Sequence, residues 1–314
     1  MQVTENVGRS TIVLEDDALR VVIDATLGGK IRSFYSKDNE MEYFYTDKRS
    51  CFPGSGYSNH DISGLDECFP TIGSCSFPCG EYSGTLIDDH GHLWNMPWEL
   101  RSHEDTVAMG CDLPEFSVRF DRDCRLEKTG ILRFDYRIRN YGKQPLPYLY
   151  AAHPMLALHE PTAIRYPREM TRTYISTAVG IPGLSVGAWT GWPLGPEAFQ
   201  AEPFSGARKT ALKCFSDRLT DGTCEVRHHG SGECLRIESD SARLPYLGVM
   251  ISQEFGPDGE CDGDMILGLE PTTSIGDDLN TSQNTRTTAY LAPGEEQRFW
   301  IRFSLQAEGA SKER

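Results

Sequence analysis

The sequence predicts an all-β chain folded as a large antiparallel two-sheet sandwich. Three observations carry that prediction. Hydrophobicity alternates with a period of two, turn residues interrupt the alternation throughout, and no segment of ten or more residues shows a helical stripe. Thirty glycines and eighteen prolines supply the punctuation, because each breaks a regular element for its own steric reason.

The elements follow in order. Leu19 to Ile23 and Lys30 to Tyr35 flank Thr26-Leu27-Gly28-Gly29. Paired glycines tolerate positive φ, so this stretch predicts a hairpin. Phe116 to Asp121 predicts another strand. In Ile131 to Arg139, Leu132, Phe134, Tyr136 and Ile138 alternate with Arg133, Asp135, Arg137 and Arg139, which gives one buried and one wet face. Leu235 to Glu238, Tyr246 to Ser252 and Met265 to Leu269 add further strands. Phe299, Ile301, Phe303 and Leu305 mark the last one. Ile181 to Phe204, rich in Gly, Pro and Trp, predicts a long loop or insertion, and the polar tail Glu308 to Arg314 predicts fraying. No internal repeat or linker divides the chain, so residues 1–314 are read as one domain.

The net charge of -15 repels phosphate backbones and anionic lipid, which argues against nucleic acid and membranes as partners and for a neutral small molecule. No apolar run of about 20 residues exists to span a bilayer. Met1 to Arg9 has no apolar core of a secretory signal, so a cytoplasmic setting is expected. Ten scattered cysteines without a Cys-x-x-Cys pair then predict reduced, mostly buried thiols. Cys75 and Cys79 are the nearest candidates for paired metal ligands, but no second pair follows.

Three short motifs carry the chemistry: Asp89-His90-Gly91, Ala152-His153-Pro154 and Leu269-Glu270-Pro271. They offer two imidazoles and a carboxylate, each beside a Gly or Pro expected to end a strand and fix the backbone. A carboxylate facing an imidazole is what proton shuttling near neutral pH needs. Each has a plainer reading. His153, at the end of Tyr148-Leu149-Tyr150-Ala151-Ala152, could be a hydrogen-bonded core histidine. His90 could sit in a solvated loop, with Trp94 and Trp98 structural. Glu270 could be ion-paired with one of the arginines. His90 and His92 followed by Glu99 resemble a cupin metal motif, but six residues separate His92 from Glu99 where that motif wants three or four. No phosphate-binding glycine loop or serine nucleophile elbow is present.

Taken together, these pieces resemble the aldose 1-epimerase (galactose mutarotase-like) family over most of the chain. The hairpin around Thr26-Leu27-Gly28-Gly29-Lys30-Ile31 looks like the family's first, and Asp89-His90-Gly91 like its first histidine motif. Ala152-His153-Pro154-Met155-Leu156-Ala157-Leu158 is similar to its His-Pro-aromatic-x-x-Leu motif, with Met155 in place of the aromatic. Gly268-Leu269-Glu270-Pro271 looks like its catalytic glutamate motif, and Leu291-Ala292-Pro293-Gly294-Glu295 like its final turn. The resemblance implies a β-supersandwich and sugar mutarotation without metal or organic cofactor, by a monomer or homodimer. Glu270 would take the anomeric hydroxyl proton, His153 would protonate the ring oxygen, and His90 would hydrogen-bond the sugar. Where typical galactose mutarotases carry an Arg and an Asn-Arg motif, this chain has Gly64-Leu65-Asp66-Glu67-Cys68-Phe69-Pro70. That departure points to a divergent branch, with Asp66 and Glu67 as candidate sugar ligands, Trp94 as a stacking surface and Gln253 as a hydroxyl contact. The competing reading is a carbohydrate-binding protein on the same fold without turnover; a third is another carbohydrate enzyme on that fold.

Overall fold

The computed structural model describes residues 2–6, 9–47, 56–101, 105–158, 162–194, 209–228, 230–253 and 265–307. Two large antiparallel sheets dominate them, one of twelve strands and one of eight, beside two two-stranded ribbons. The only α-helix among the described residues is the six-residue turn Leu279–Asn284. No helix there is long and apolar enough to cross a membrane. The predicted hairpin pairs Leu19–Asp24 with Lys30–Ser36, and Gly28 and Gly29 take φ of 64° and 60° at its tip. Within the predicted insertion, Trp189–Gly191 forms a short strand; residues 195–208 and the C-terminal tail lie outside the described set.

The core lies between the sheets. Strands of the smaller sheet send Phe120, Leu132, Phe134, Ile138, Ile301 and Phe303 inward, each fully buried, while their alternate residues carry the charges, with Arg122 the inward exception. Burying a large apolar side chain contributes about 1.5–3 kcal/mol, so the period-two pattern sets which face each strand turns inward. A second, smaller apolar cluster of Tyr45, Tyr57, Ile62, Trp94, Met155 and Ile266 is separate from this core.

Five adjacent strands of the larger sheet position the candidate site, in the order Leu65–Cys68, Ala151–Ala157, Met265–Thr272, Tyr246–Gln253 and Thr210–Ser216. Here the structure corrects one expectation: Pro154 and Pro271 lie inside their strands and do not end them. The ladder between these two strands pairs Ala151 with Thr272, then resumes at Met155 with Gly268. The gap falls where both prolines lack an N–H donor, and His153 and Glu270 occupy it.

Candidate active site

Pairing places His153 beside Asp66, and the register that joins Ala151 to Thr272 and Met155 to Gly268 places it opposite Glu270. The three side chains therefore share one face of the sheet. His153 Nε2 lies 3.5 Å from Glu270 Oε1, and both residues are buried, at 4% and 0% exposure. Glu270 also accepts hydrogen bonds from Lys213 Nζ at 2.5 Å on each carboxylate oxygen. Lys213 approaches Asp277 at 3.9 Å, and Ser176 donates to that carboxylate in turn. Two glycines make room for this charge pair. A Cβ at Gly248 would meet Glu270 Oε2 at 3.2 Å, and one at Gly268 would meet Oε1 at 2.7 Å.

His90 reaches the same place from a tight turn. It has φ of 63° and Gly91 has φ of 67°, a left-handed pair that glycine tolerates and other residues adopt at a cost. A Cβ on Gly91 would lie 2.0 Å from the Phe69 carbonyl oxygen. The turn is tied down by His92 N–H, which donates to that oxygen at 3.0 Å. The His90 ring then stands edge-on to His153, centroids 4.7 Å apart, and stacks on Tyr57 at 3.4 Å and 10°.

Asp66 completes the floor. It is ion-paired with Lys30 at 2.7 Å, and the Tyr57 hydroxyl donates to it at 3.4 Å. Lys30 is fully buried and spends its other protons on the carbonyls of Asp61 and Ser63, both at 2.8 Å. Trp94 lies behind Tyr57 with ring centroids 5.2 Å apart. Its indole N–H donates to the Gly91 carbonyl at 2.9 Å, so it buttresses the His90 turn.

Two candidate residues stand elsewhere. Glu67 alternates with Asp66 and faces the other sheet, where Arg122 donates to it at 2.6 Å and the hydroxyls of Tyr136 and Tyr150 at 3.0 and 2.7 Å. It bridges the two sheets and does not line the cluster. Gln253 pairs with Met265 and accepts a hydrogen bond from Thr210. Met265 is an odd number of residues from Glu270, so Gln253 faces the opposite side, about 17 Å along the strand at 3.4 Å per residue. The cupin-like set is also dispersed. His92 pairs with Glu115 at 2.7 Å, and Glu99 with Arg119 at 3.2 Å. A different group does converge: one donor atom each from Cys68, His90 and His153 lie within 4.8 Å of one another.

Burial sets the protonation of the site. It drives the His153 imidazole well below its ordinary range, and the nearby His90, Lys213 and Lys30 push the same way, so the ring is neutral at neutral pH. Burial likewise lifts the Glu270 carboxyl above its usual value, although Lys213 pulls against it. For Lys213, burial opposes the charge, but the carboxylates of Glu270 and Asp277 outweigh it and raise the ammonium above its ordinary value. Four buried side-chain atoms of the cluster lack a hydrogen-bond partner: His153 Nδ1, His90 Nδ1, Asp66 Oδ1 and Asp277 Oδ1. Unfilled polar atoms beside a carboxylate of raised basicity mark a place for a polar ligand.

Lys213, Tyr57, Asp277 and Cys68 were not singled out from the sequence. Lys213 had a signal. It interrupts the apolar run of Leu212, Cys214 and Phe215, and a lysine in a buried strand needs a carboxylate partner. Tyr57 and Asp277 had none, since both sit in irregular segments.

No family model and no curated protein sequence matches this chain. Solved structures do. A galactose mutarotase related enzyme from Lactobacillus acidophilus superposes with a TM-score of 0.68 at 15% identity, covering 95% of this chain and 97% of its own. A galactose mutarotase-like protein from Lactobacillus casei gives 0.67 at 14%, covering 94% and 100%. Another from Clostridium acetobutylicum gives 0.68 at 13%, covering 98% of both chains. The chain has the galactose mutarotase-like fold, and at these identities the likeness is one of fold.

Proposed function

We propose that this protein is an aldose mutarotase, interconverting the α and β anomers of a neutral hexose by acid–base ring opening. The observation that carries the reading is the approach of His153 Nε2 to Glu270 Oε1, 3.5 Å apart in a buried cluster with four unfilled polar atoms. Glu270 takes the proton from the anomeric hydroxyl as the C1–O5 bond breaks and C1 becomes an aldehyde carbon. The ring oxygen receives a proton from His153. Because His153 is neutral at rest, that proton reaches it from Glu270, and the pair returns to its starting state when the ring closes on the other face. Lys213 holds the carboxylate in place and offsets its charge. His90 and Asp66 hydrogen-bond sugar hydroxyls. Residues 1–314 act as one such unit, in a reducing cytoplasm that suits the eight free cysteines among the described residues.

One observation favours a second reading, a sugar-binding protein without turnover. Lys213 grips both oxygens of Glu270, and a base so engaged must be released before it accepts a proton. Exchange NMR across a panel of free aldoses separates the two. Accelerated anomer exchange for at least one sugar supports the mutarotase; saturable binding without acceleration supports the binding protein.

A further inference from the structure

A thiol and two imidazoles converge, and the proposed sugar chemistry uses the imidazoles but not the thiol. Cys68 is fully buried on the Leu65–Cys68 strand, on the same face as Asp66 two residues earlier. The Cys68 sulfur and one ring nitrogen each of His90 and His153 lie within 4.8 Å of one another. A cation centred among three atoms so spaced lies no more than about 2.8 Å from each. Zinc bonds run about 2.0–2.1 Å to nitrogen and 2.3 Å to sulfur, so a contraction of about 0.5–0.8 Å closes the shell.

The three donors come from separate, fixed elements: two neighbouring strands and the left-handed turn at His90 and Gly91. Both imidazoles carry a buried nitrogen without a hydrogen-bond partner. With Nε2 turned to Glu270, Nδ1 of the buried His153 has no hydrogen-bond partner. The nearby carboxylates of Glu270 and Asp66 are each ion-paired with a lysine, so donor geometry, not net charge, favours a cation there. A sulfur with two imidazoles is the donor set of a borderline-to-soft metal and suits neither magnesium nor calcium.

We propose that Cys68, His90 and His153 form a binding site for a single zinc-like divalent cation, and that its occupation silences proton transfer by His153. One proton leaves the Cys68 thiol for solvent as the sulfur–metal bond forms, without change of oxidation state. The fourth position stays open to water. In the proposed chemistry the cation is an inhibitor: bound at Nδ1, it leaves the neutral ring with its proton on Nε2, so His153 can no longer accept the proton from Glu270.

The test is to titrate reduced, metal-free protein with Co²⁺, which absorbs distinctively when bound by thiolate. The expected result is a thiolate-to-cobalt charge-transfer band saturating at one equivalent and abolished by excess Zn²⁺. Cys68→Ser should lose the band and weaken Zn²⁺ binding at least ~10–100-fold, the range set by loss of a mere supporting contact. Cys75→Ser/Cys79→Ser, which removes the two half-exposed thiols among the described residues, should keep it. X-ray absorption on the cobalt-loaded wild type guards against a variant that fails to fold. One sulfur and two imidazole donors are expected. Absence of the band from wild type, its survival in a folded Cys68→Ser, or a shell without sulfur or with two sulfurs would overturn the proposal. These readouts need no sugar, so they stand or fall apart from mutarotation. If mutarotation is found, one equivalent of Zn²⁺ should abolish it in wild type and spare Cys68→Ser.

Discussion

At the scale of single residues, the site is a buried charge pair beside a neutral imidazole. Lys213 and Glu270 satisfy each other, so removing one leaves the other stranded. Lys213→Met should destabilise the fold by about 3–5 kcal/mol, as loss of one partner of a buried pair does. The double variant Lys213→Met/Glu270→Gln should recover part of that loss, and urea denaturation midpoints measure both. A single variant as stable as wild type would remove the pair from the account. His153 makes a separate prediction. Its folded-state value is depressed, so the stability it contributes is complete above the unfolded value of about 6.5 and is lost as pH falls through the folded value. Ring NMR at about pH 6 should show it neutral; a midpoint at or above the ordinary value would contradict the burial argument. Glu270, His153 and His90 were legible because each sits in a short motif with a Gly or Pro neighbour. Lys213 leaves a signal as a lysine in an apolar run, but its partner is supplied by strand pairing, which the local sequence does not encode.

At the scale of elements, the left-handed turn at His90 and Gly91 and the broken ladder at Pro154 and Pro271 shape the site. Gly91, expected to fix the backbone beside His90, does so as this turn. The strands containing the prolines were misjudged, because a missing N–H can be tolerated where two strands part locally, and only the pairing shows where they do. Asp66 and Glu67 teach the same lesson. As sequence neighbours they looked alike, but alternation sends Asp66 to the site and Glu67 to Arg122 across the sandwich. Gly91→Ala should be severe although Gly91 brings no side chain to the site. It combines a left-handed backbone with a Cβ 2.0 Å from a carbonyl oxygen. The turn must shift, with a stability loss of at least about 1–2 kcal/mol and a KM that rises more than kcat falls. Unchanged melting temperature and KM would show that the turn does not set the position of His90.

At the scale of the whole molecule, the two-sheet sandwich was legible from period-two alternation, since which face is buried is written along every strand. Which strands become neighbours was not, because pairing is decided by contacts distant in sequence. The net charge of -15 is spread over a fold whose proposed substrate is neutral. Raising ionic strength from 0.01 to 1 M shortens the screening length from about 30 to 3 Å. For a neutral sugar kcat/KM should nevertheless stay within about twofold, while a steep rise would point to an anionic substrate held off by the acidic surface. The central claim is that Glu270 serves as the general base of anomer exchange. Exchange NMR on the best aldose, comparing wild type with Glu270→Gln, tests it most directly. The account predicts accelerated exchange by wild type and a loss of ~10²–10⁴-fold in the variant, falling on kcat with sugar affinity largely kept. Equal rates for the two proteins, or no acceleration of any aldose by wild type, would contradict it.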